Sequence, residues 1–247
     1  MENLNEDFDL NGFVAIKKFF SLNDIAEIMA IVGQLVSGKL KNMSPEHVFY
    51  ENKNDPSTLK QLQHLDFYDP FFRNLFAHTK IQSLAELLLN DAVVAKNMQW
   101  FNKPPKVGRE TPPHQDGYYF MLEPNEAVTM WLALEQVDEE NGCVRYIPGS
   151  HKKGMRPHGK TSLLGFSQGI TDYSEEDFKQ EIPMIVGPGD LIVHHSMTIH
   201  RADANFSQRN RKGLGFIFYS SQAREDQEKH RQYQEKLKKE MQQSGKI

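Results

Sequence analysis

The stretch from residue 93 to residue 220 constrains the fold most, because it is written as short apolar runs separated by turn residues. Residues 93–101, 129–134, 143–147, 191–194 and 213–220 each have the length of a strand. Glu140-Asn141-Gly142, Pro148-Gly149 and Pro188-Gly189 supply turns between them. Many short strands punctuated this way predict a β-sandwich or barrel.

Upstream the texture differs. A short strand around 12–16 precedes Ser21, which can cap a helix with Asp24 in its first turn. Ile25, Ile28, Met29, Val32 and Val36 follow at helical spacing, and Gly38 is placed to stop them. Residues 59–63 read as a strand. Pro70 opens a helix with Phe71, Phe72, Leu75 and Phe76 on one face, and a second helix runs to Leu89 before Asn90-Asp91. The polar segment 150–183, with Gly154, Gly159, Gly165 and Gly169, reads as a lid. The charged stretch after 223 carries Tyr233, Leu237 and Met241 four apart and reads as a solvated helical tail. All-β domains of ~200–250 residues are common, so a single domain over 1–247 is expected, with its core at about 8–220.

Composition excludes several classes. A net charge of −4 without a basic stripe argues against a nucleic-acid partner. No apolar run approaches the ~20 residues that span a bilayer. The one cysteine, Cys143, permits no intrachain disulfide and reads as buried and inert. The opening Met-Glu-Asn-Leu-Asn-Glu-Asp lacks a signal-peptide pattern, so a cytoplasmic protein with a small-molecule substrate is expected.

Chemistry concentrates in Thr111-Pro112-Pro113-His114-Gln115-Asp116-Gly117. On a strand, residues two apart share a side, so His114 and Asp116 can reach one point. An imidazole and a carboxylate placed so form two-thirds of a 2-His-1-carboxylate set for Fe(II). The third ligand must come from His194, His195 or His200. Further on, Arg211, Gly213 and Gly215 share one strand face, which reads as a guanidinium beside room for a small dicarboxylate. Arg209 has the same parity and competes with Arg211.

The order His114-x-Asp116, His200 and then Arg211 resembles the phytanoyl-CoA dioxygenase family. Trp131-Leu132-Ala133-Leu134, Glu140-Asn141-Gly142-Cys143, Ile147-Pro148-Gly149-Ser150-His151, Phe101-Asn102-Lys103-Pro104-Pro105 and Asn11-Gly12-Phe13-Val14 add to the resemblance, which covers about 8–220. It implies a mainly β fold, a double-stranded β-helix (jelly roll) with N-terminal helices packed on one sheet. It implies Fe(II) on His114, Asp116 and His200, with His195 set aside by its spacing to Arg211. It implies 2-oxoglutarate and O2 as cosubstrates, held with Arg211, Trp131, Gln99, Thr198 and Asn102, and with Gln61 near the same pocket. The implied reaction is hydroxylation of a small metabolite with release of succinate and CO2. His151 belongs to the resemblance as a structural residue. Tyr118, Tyr119 and Phe120 are expected to wall the substrate pocket. Two alternatives are a non-catalytic β-helix binding protein, whose mark would be a degenerate triad that this sequence lacks, and a zinc hydrolase using the same His/Asp/His cluster, which would not need Arg211 beside small residues.

Overall fold

The computed structural model describes residues 4–77, 79–161 and 168–243. In chain order, α1 (Leu4–Asn11), β1 (Phe13–Ile16), α2 (Leu22–Gln34), β2 (Val48–Tyr50), β3 (Leu59–Leu62), α3 (Leu65–Tyr68), α4 (Pro70–Phe76) and α5 (Lys80–Leu89) make the N-terminal part. There follow β4 (Val93–Lys103), β5 (Thr111–His114), α6 (Gly117–Phe120), β6 (Leu122–Glu123), β7 (Ala127–Ala133) and β8 (Val144–Tyr146). The chain continues through β9 (His158–Lys160), β10 (Gln168–Ile170), α7 (Glu175–Gln180), β11 (Ile182–Pro183), β12 (Leu191–His195), β13 (His200–Ala202), β14 (Arg211–Ser220), β15 (Arg224–Glu225) and α8 (Gln227–Gln243).

Two antiparallel sheets form the jelly roll. The larger has the order β1-β12-β7-β14-β4-β3-β2, and the smaller β11-β8-β13-β5. Alternation divides the larger sheet cleanly. Met98, Trp100, Leu132, Val193, Leu214, Phe216 and Phe218 meet Ile25, Ile28, Val32, Phe72, Phe76, Ile81 and Leu84 of the helices. Burial of a side chain such as Phe216 contributes about 1.5–3 kcal/mol. On the other face Trp131 and Ile192 pack with Phe13, Val144 and Tyr146, closing a second core between the sheets. Covered on both faces, β7 is buried at every residue.

Several boundaries depart from the sequence reading. Ser21 and Asp24 do form a reciprocal capping box on α2. Gly38 does not stop that helix; it lies inside a π turn, Leu35–Lys39, and a 3-10 turn carries on to Asn42. Strand β4 extends to Lys103, two residues past the expected stop at Phe101, which brings one more side chain, Lys103, to the inner face. The segment 150–183, read as a polar loop serving as a lid, contains the β9–β10 hairpin, α7 with its own capping box at Ser174, and β11 paired to β8. The hairpin lies against β5, where Gly169 is packed close to Pro112 and Pro113. Residues 162–167, Gly165 among them, lie outside the described residues.

Candidate metal centre

His114 ends β5 and His200 opens β13, and the antiparallel register sets them directly opposite each other. Their rings lie 4.2 Å apart. Asp116 is not on the strand. It sits in helical conformation at the start of α6, so the chain turns at Gln115 and carries the carboxylate back toward the imidazoles. The expectation of two ligands converging by strand alternation is therefore corrected: a strand end and a helix start bring them together. Gln115 fixes that turn, with its amide nitrogen donating to the carbonyls of Gly154 and Met197 and its oxygen accepting from Arg156 N.

One donor atom from each of His114, Asp116 and His200 lies within 4.8 Å of the others. His114 Nδ1 donates to Pro112 O at 2.8 Å and His200 Nδ1 to Thr198 O at 3.0 Å. A carbonyl accepts only, so each Nδ1 carries the proton and each Nε2 presents a lone pair. Those Nε2 atoms lie 3.4 Å and 3.7 Å from Asp116 Oδ1. Burial, with His114 and His194 beside it, pushes His200 well below the usual imidazole range, which keeps it a neutral donor. Burial pushes the Asp116 carboxyl up, but the imidazoles of His114, His194 and His200 packed around it outweigh burial and hold the group well below the usual carboxylate range. Two neutral nitrogens and one carboxylate oxygen suit a divalent iron with open positions.

His195 has no lone pair to spare. Its Nε2 donates to Glu126 at 3.1 Å and its Nδ1 accepts from Met197 N at 3.1 Å. His151 lies against α1, with Nε2 bonded to Asp9 O.

Arg211 is buried on the inner face. Its Nη1 donates to Gly142 O at 3.0 Å, its Nε has no partner, and among the described residues no carboxylate pairs with it. Burial lowers it to about 10. A cation so enclosed is incomplete without an anion. Arg209 is spent on the surface, paired with Asp138 at 2.7 Å. A cleft opens beside Arg211, lined by Gln61, Phe101, Lys103 and Thr111. Gln61 donates to Gln99 at 2.6 Å, both on the inner face.

Three expectations change here. The space beside Gly213 and Gly215 is not left for a ligand. A Cβ at 213 would strike the Trp131 indole and one at 215 would lie 2.8 Å from Phe101 Cε2. The glycines admit those rings, and Trp131 thereby lies under the Arg211 guanidinium at 5.1 Å. Thr198 is not on a pocket-lining strand; it precedes β13 and its hydroxyl donates to Gly12 O at 2.7 Å. Asn102 shares parity with Met98 and Trp100, away from Gln99, and its amide donates to Leu59 O at 3.0 Å.

Further residues surround the site, among them Lys103, Thr129 and Tyr146, to which the sequence reading gave no role. Lys103 stands opposite Arg211 in the register. It is buried, donates to the carbonyls of Ala202 and Asp203, and is pushed well below its usual range by burial and by Arg211. Its parity with Gln99 and Phe101 was the available signal. Thr129 and His194 reach the far side of Asp116, and the Tyr146 hydroxyl meets His194 Nδ1. Tyr119 stands edge-on to His114 at 6.0 Å, and Tyr233 of α8 meets Tyr119 at 6.3 Å. The C-terminal helix thus touches the wall of the site. Tyr118 stacks on His158, while Phe120 packs against Tyr219. Cys143 is buried, and burial raises its thiol.

A sequence model of the phytanoyl-CoA dioxygenase (PhyH) family matches residues 8–213. The chain belongs to this family. PhyH proteins are Fe(II)/2-oxoglutarate-dependent oxygenases, and the His–Asp–His cluster fits their iron-binding set. Among curated PhyH relatives, phytanoyl-CoA dioxygenase 1 of Oryza sativa subsp. japonica is 30% identical over 241 residues, covering 84% of each chain. The peroxisomal phytanoyl-CoA dioxygenase of Mus musculus is 30% identical, covering 87% of this chain and 67% of that one. Among solved structures, the epimerase SnoN in complex with Fe3+, alpha ketoglutarate and nogalamycin RO superposes with a TM-score of 0.74 at 21% identity, covering 91% of this chain and 85% of that one. EctD from S. alaskensis with 2-oxoglutarate and 5-hydroxyectoine superposes with a TM-score of 0.74 at 18% identity, covering 89% and 76%. At these identities the likeness is one of fold.

Proposed function

We propose that this chain is a single-domain PhyH oxygenase that hydroxylates a small molecule, with His114, Asp116 and His200 holding Fe(II) and Arg211 holding 2-oxoglutarate. The observation that carries the reading is the convergence of two imidazole lone pairs and one carboxylate oxygen on one point. Iron with 2-oxoglutarate and O2 supplies oxidative decarboxylation to succinate and CO2, coupled to oxidation of a C–H bond.

The chain's own residues supply placement. Arg211 offers a planar donor fork to a carboxylate, and Trp131 supports that fork from below. Gln99 and Gln61 present amides on the same inner face. The return of the chain through β15, paired to β6, brings α8 to the site and supports a domain that runs past the family match. Tyr119 and Tyr233 are suited to wall the primary substrate and exclude water. A hydrolase using the same three ligands would leave the enclosed Arg211 cation without purpose. Hydroxylation is favoured because Asp116 is present as the third ligand, leaving no site for a halide.

No helix among the described residues is long and apolar enough to cross a membrane. A cytoplasmic location is part of the proposal; since the Mus musculus relative is named as peroxisomal, cell fractionation is its test. The function is tested by metal analysis of anaerobically purified protein and by succinate release from 2-oxoglutarate across a library of small metabolites. Bound iron with substrate-stimulated succinate is the expected result. Stoichiometric zinc with no succinate from any mixture rejects it.

A further inference from the structure

The two oxygens of Asp116 have different surroundings. Oδ1 faces His114 Nε2 and His200 Nε2. Oδ2 faces away and accepts two hydrogen bonds, from Thr129 Oγ1 at 2.6 Å and from His194 Nε2 at 3.1 Å. His194 is itself held: its Nδ1 lies 2.8 Å from the Tyr146 hydroxyl. The proton positions follow from the partners. A carboxylate only accepts, so His194 Nε2 carries the hydrogen; Nδ1 of the neutral ring then accepts, and Tyr146 donates. Phe13 stacks on Tyr146 at 4.7 Å, and Tyr146 and His194 are 0% and 3% exposed, so neither ring has room to turn. The relay joins the sheets, with Tyr146 on β8 and His194 and Thr129 on adjacent strands β12 and β7.

We propose that His194 and Thr129 are a two-donor clamp that keeps Asp116 Oδ2 off the metal and presents Oδ1 as the single ligating oxygen, with Tyr146 bracing the His194 ring at Nδ1. These are positioning residues, and the proposal rests on the iron reading above. A carboxylate with both oxygens free can chelate an ion bidentately. With Oδ2 committed to two donors, Asp116 occupies one coordination position, and the face opposite the three ligands stays open. His195, one residue on, lies on the other face of β12 and takes no part, so the clamp separates two adjacent histidines by role.

The test uses Co(II) as a spectroscopic stand-in for Fe(II), titrated anaerobically into the full chain, with the melting temperature of each apo variant recorded beside it. His194→Leu and Thr129→Val remove one donor each. Outer hydrogen-bond partners of metal ligands change affinity by about 10–100-fold, so each variant is expected to weaken Co(II) by about 10-fold or more and to alter its d–d spectrum. His194→Gln, whose amide nitrogen can stand where Nε2 stood, is expected to restore most of the affinity. Tyr146→Phe removes the brace at His194 Nδ1 and is expected to fall between. Should His194→Leu fail to fold, Thr129→Val still decides the matter, since it removes only a hydroxyl. Wild-type affinity and spectrum in both Thr129→Val and the folded His194→Leu variant overturn the clamp while leaving the iron site standing. Equal losses in His194→Gln and His194→Leu also overturn it, because packing alone would then explain them. If the wild-type chain binds no Co(II), the iron reading fails and the clamp with it.

Discussion

Adding one methyl group at Gly213 tests the architecture of the proposed cosubstrate site. A Cβ there would lie 2.8 Å from Trp131 Nε1, with two ring carbons closer still. Carbon contacts sit at about 3.5–4.0 Å, so relieving the nearest ring carbon takes a shift of the indole or the strand of well over ~1 Å. Neither has free space: Trp131 is 5% exposed on a strand buried throughout, and β14 is hydrogen-bonded on both edges. Overpacking of this kind costs about 1–3 kcal/mol. A value near ~2 kcal/mol lowers Tm by about 4–8 °C in a chain of this size. The same shift takes the indole from under Arg211, where a desolvated cation–π contact contributes about 2 kcal/mol, so 2-oxoglutarate affinity should fall with Tm. Thermal unfolding and 2-oxoglutarate titration of the wild type, Gly213→Ala, Trp131→Leu and the double variant form a cycle. In the Trp131→Leu background the added methyl meets no ring, and its cost should drop below about 0.5 kcal/mol. An unchanged Tm for Gly213→Ala, or the same loss in both backgrounds, refutes the reasoning.

Other substitutions separate the roles assigned above. His114→Ala and His200→Ala should each abolish iron binding, while His195→Ala should retain it; anaerobic iron titration distinguishes them, and a matching loss in His195→Ala counts against the ligand set. Arg211→Lys should raise the apparent Kd for 2-oxoglutarate at least ~10-fold through loss of the bidentate fork, with iron affinity unchanged. Arg209→Lys should alter neither, and an effect there moves the role. Asp190 accepts from Gly187 N, Lys18 N and Lys17 Nζ. Burial pushes its carboxyl up, but these donors more than offset that and leave it below the usual value of 3.8. A depressed carboxylate stabilises the fold above its unfolded pKa, and that contribution is lost as pH falls through the folded one. Asp190→Asn should therefore destabilise by about 1–3 kcal/mol in urea at neutral pH, and the gap to wild type should close in acid; a gap independent of pH contradicts the assignment.

Much of the site was legible in the sequence because its chemistry demands particular residue types. Iron needs imidazole and carboxylate, and a dicarboxylate needs a guanidinium, so His114 and Asp116 stood out by residue type, while His200 and Arg211 were separated from His194, His195 and Arg209 by the family resemblance. The strands flanking them were legible for a different reason. Buried β-structure needs apolar runs, and its turns need Gly, Pro or Asn. The segment 150–183 was misread because its elements are short and partly exposed, so they leave little apolar periodicity.

Pairwise relations were decided only in three dimensions. His194 and His195 are neighbours with identical side chains. One reaches Asp116 and the other Glu126, because β12 turns successive residues to opposite faces. The volume beside Gly213 belongs to Trp131, a residue of another strand, and alternation along β14 alone cannot reveal it. Thr198 and Asn102 turn to the carbonyls of Gly12 and Leu59, partners brought near by sheet pairing and not by sequence. Tyr233 meets Tyr119 because β15 adds to β6 and returns the C-terminal helix to the metal-bearing turn. The sequence by itself determined which groups were available for the chemistry. The tertiary structure decided which of them face one another, since a hydrogen bond or a van der Waals overlap depends on distances of a few ångströms that only packing sets.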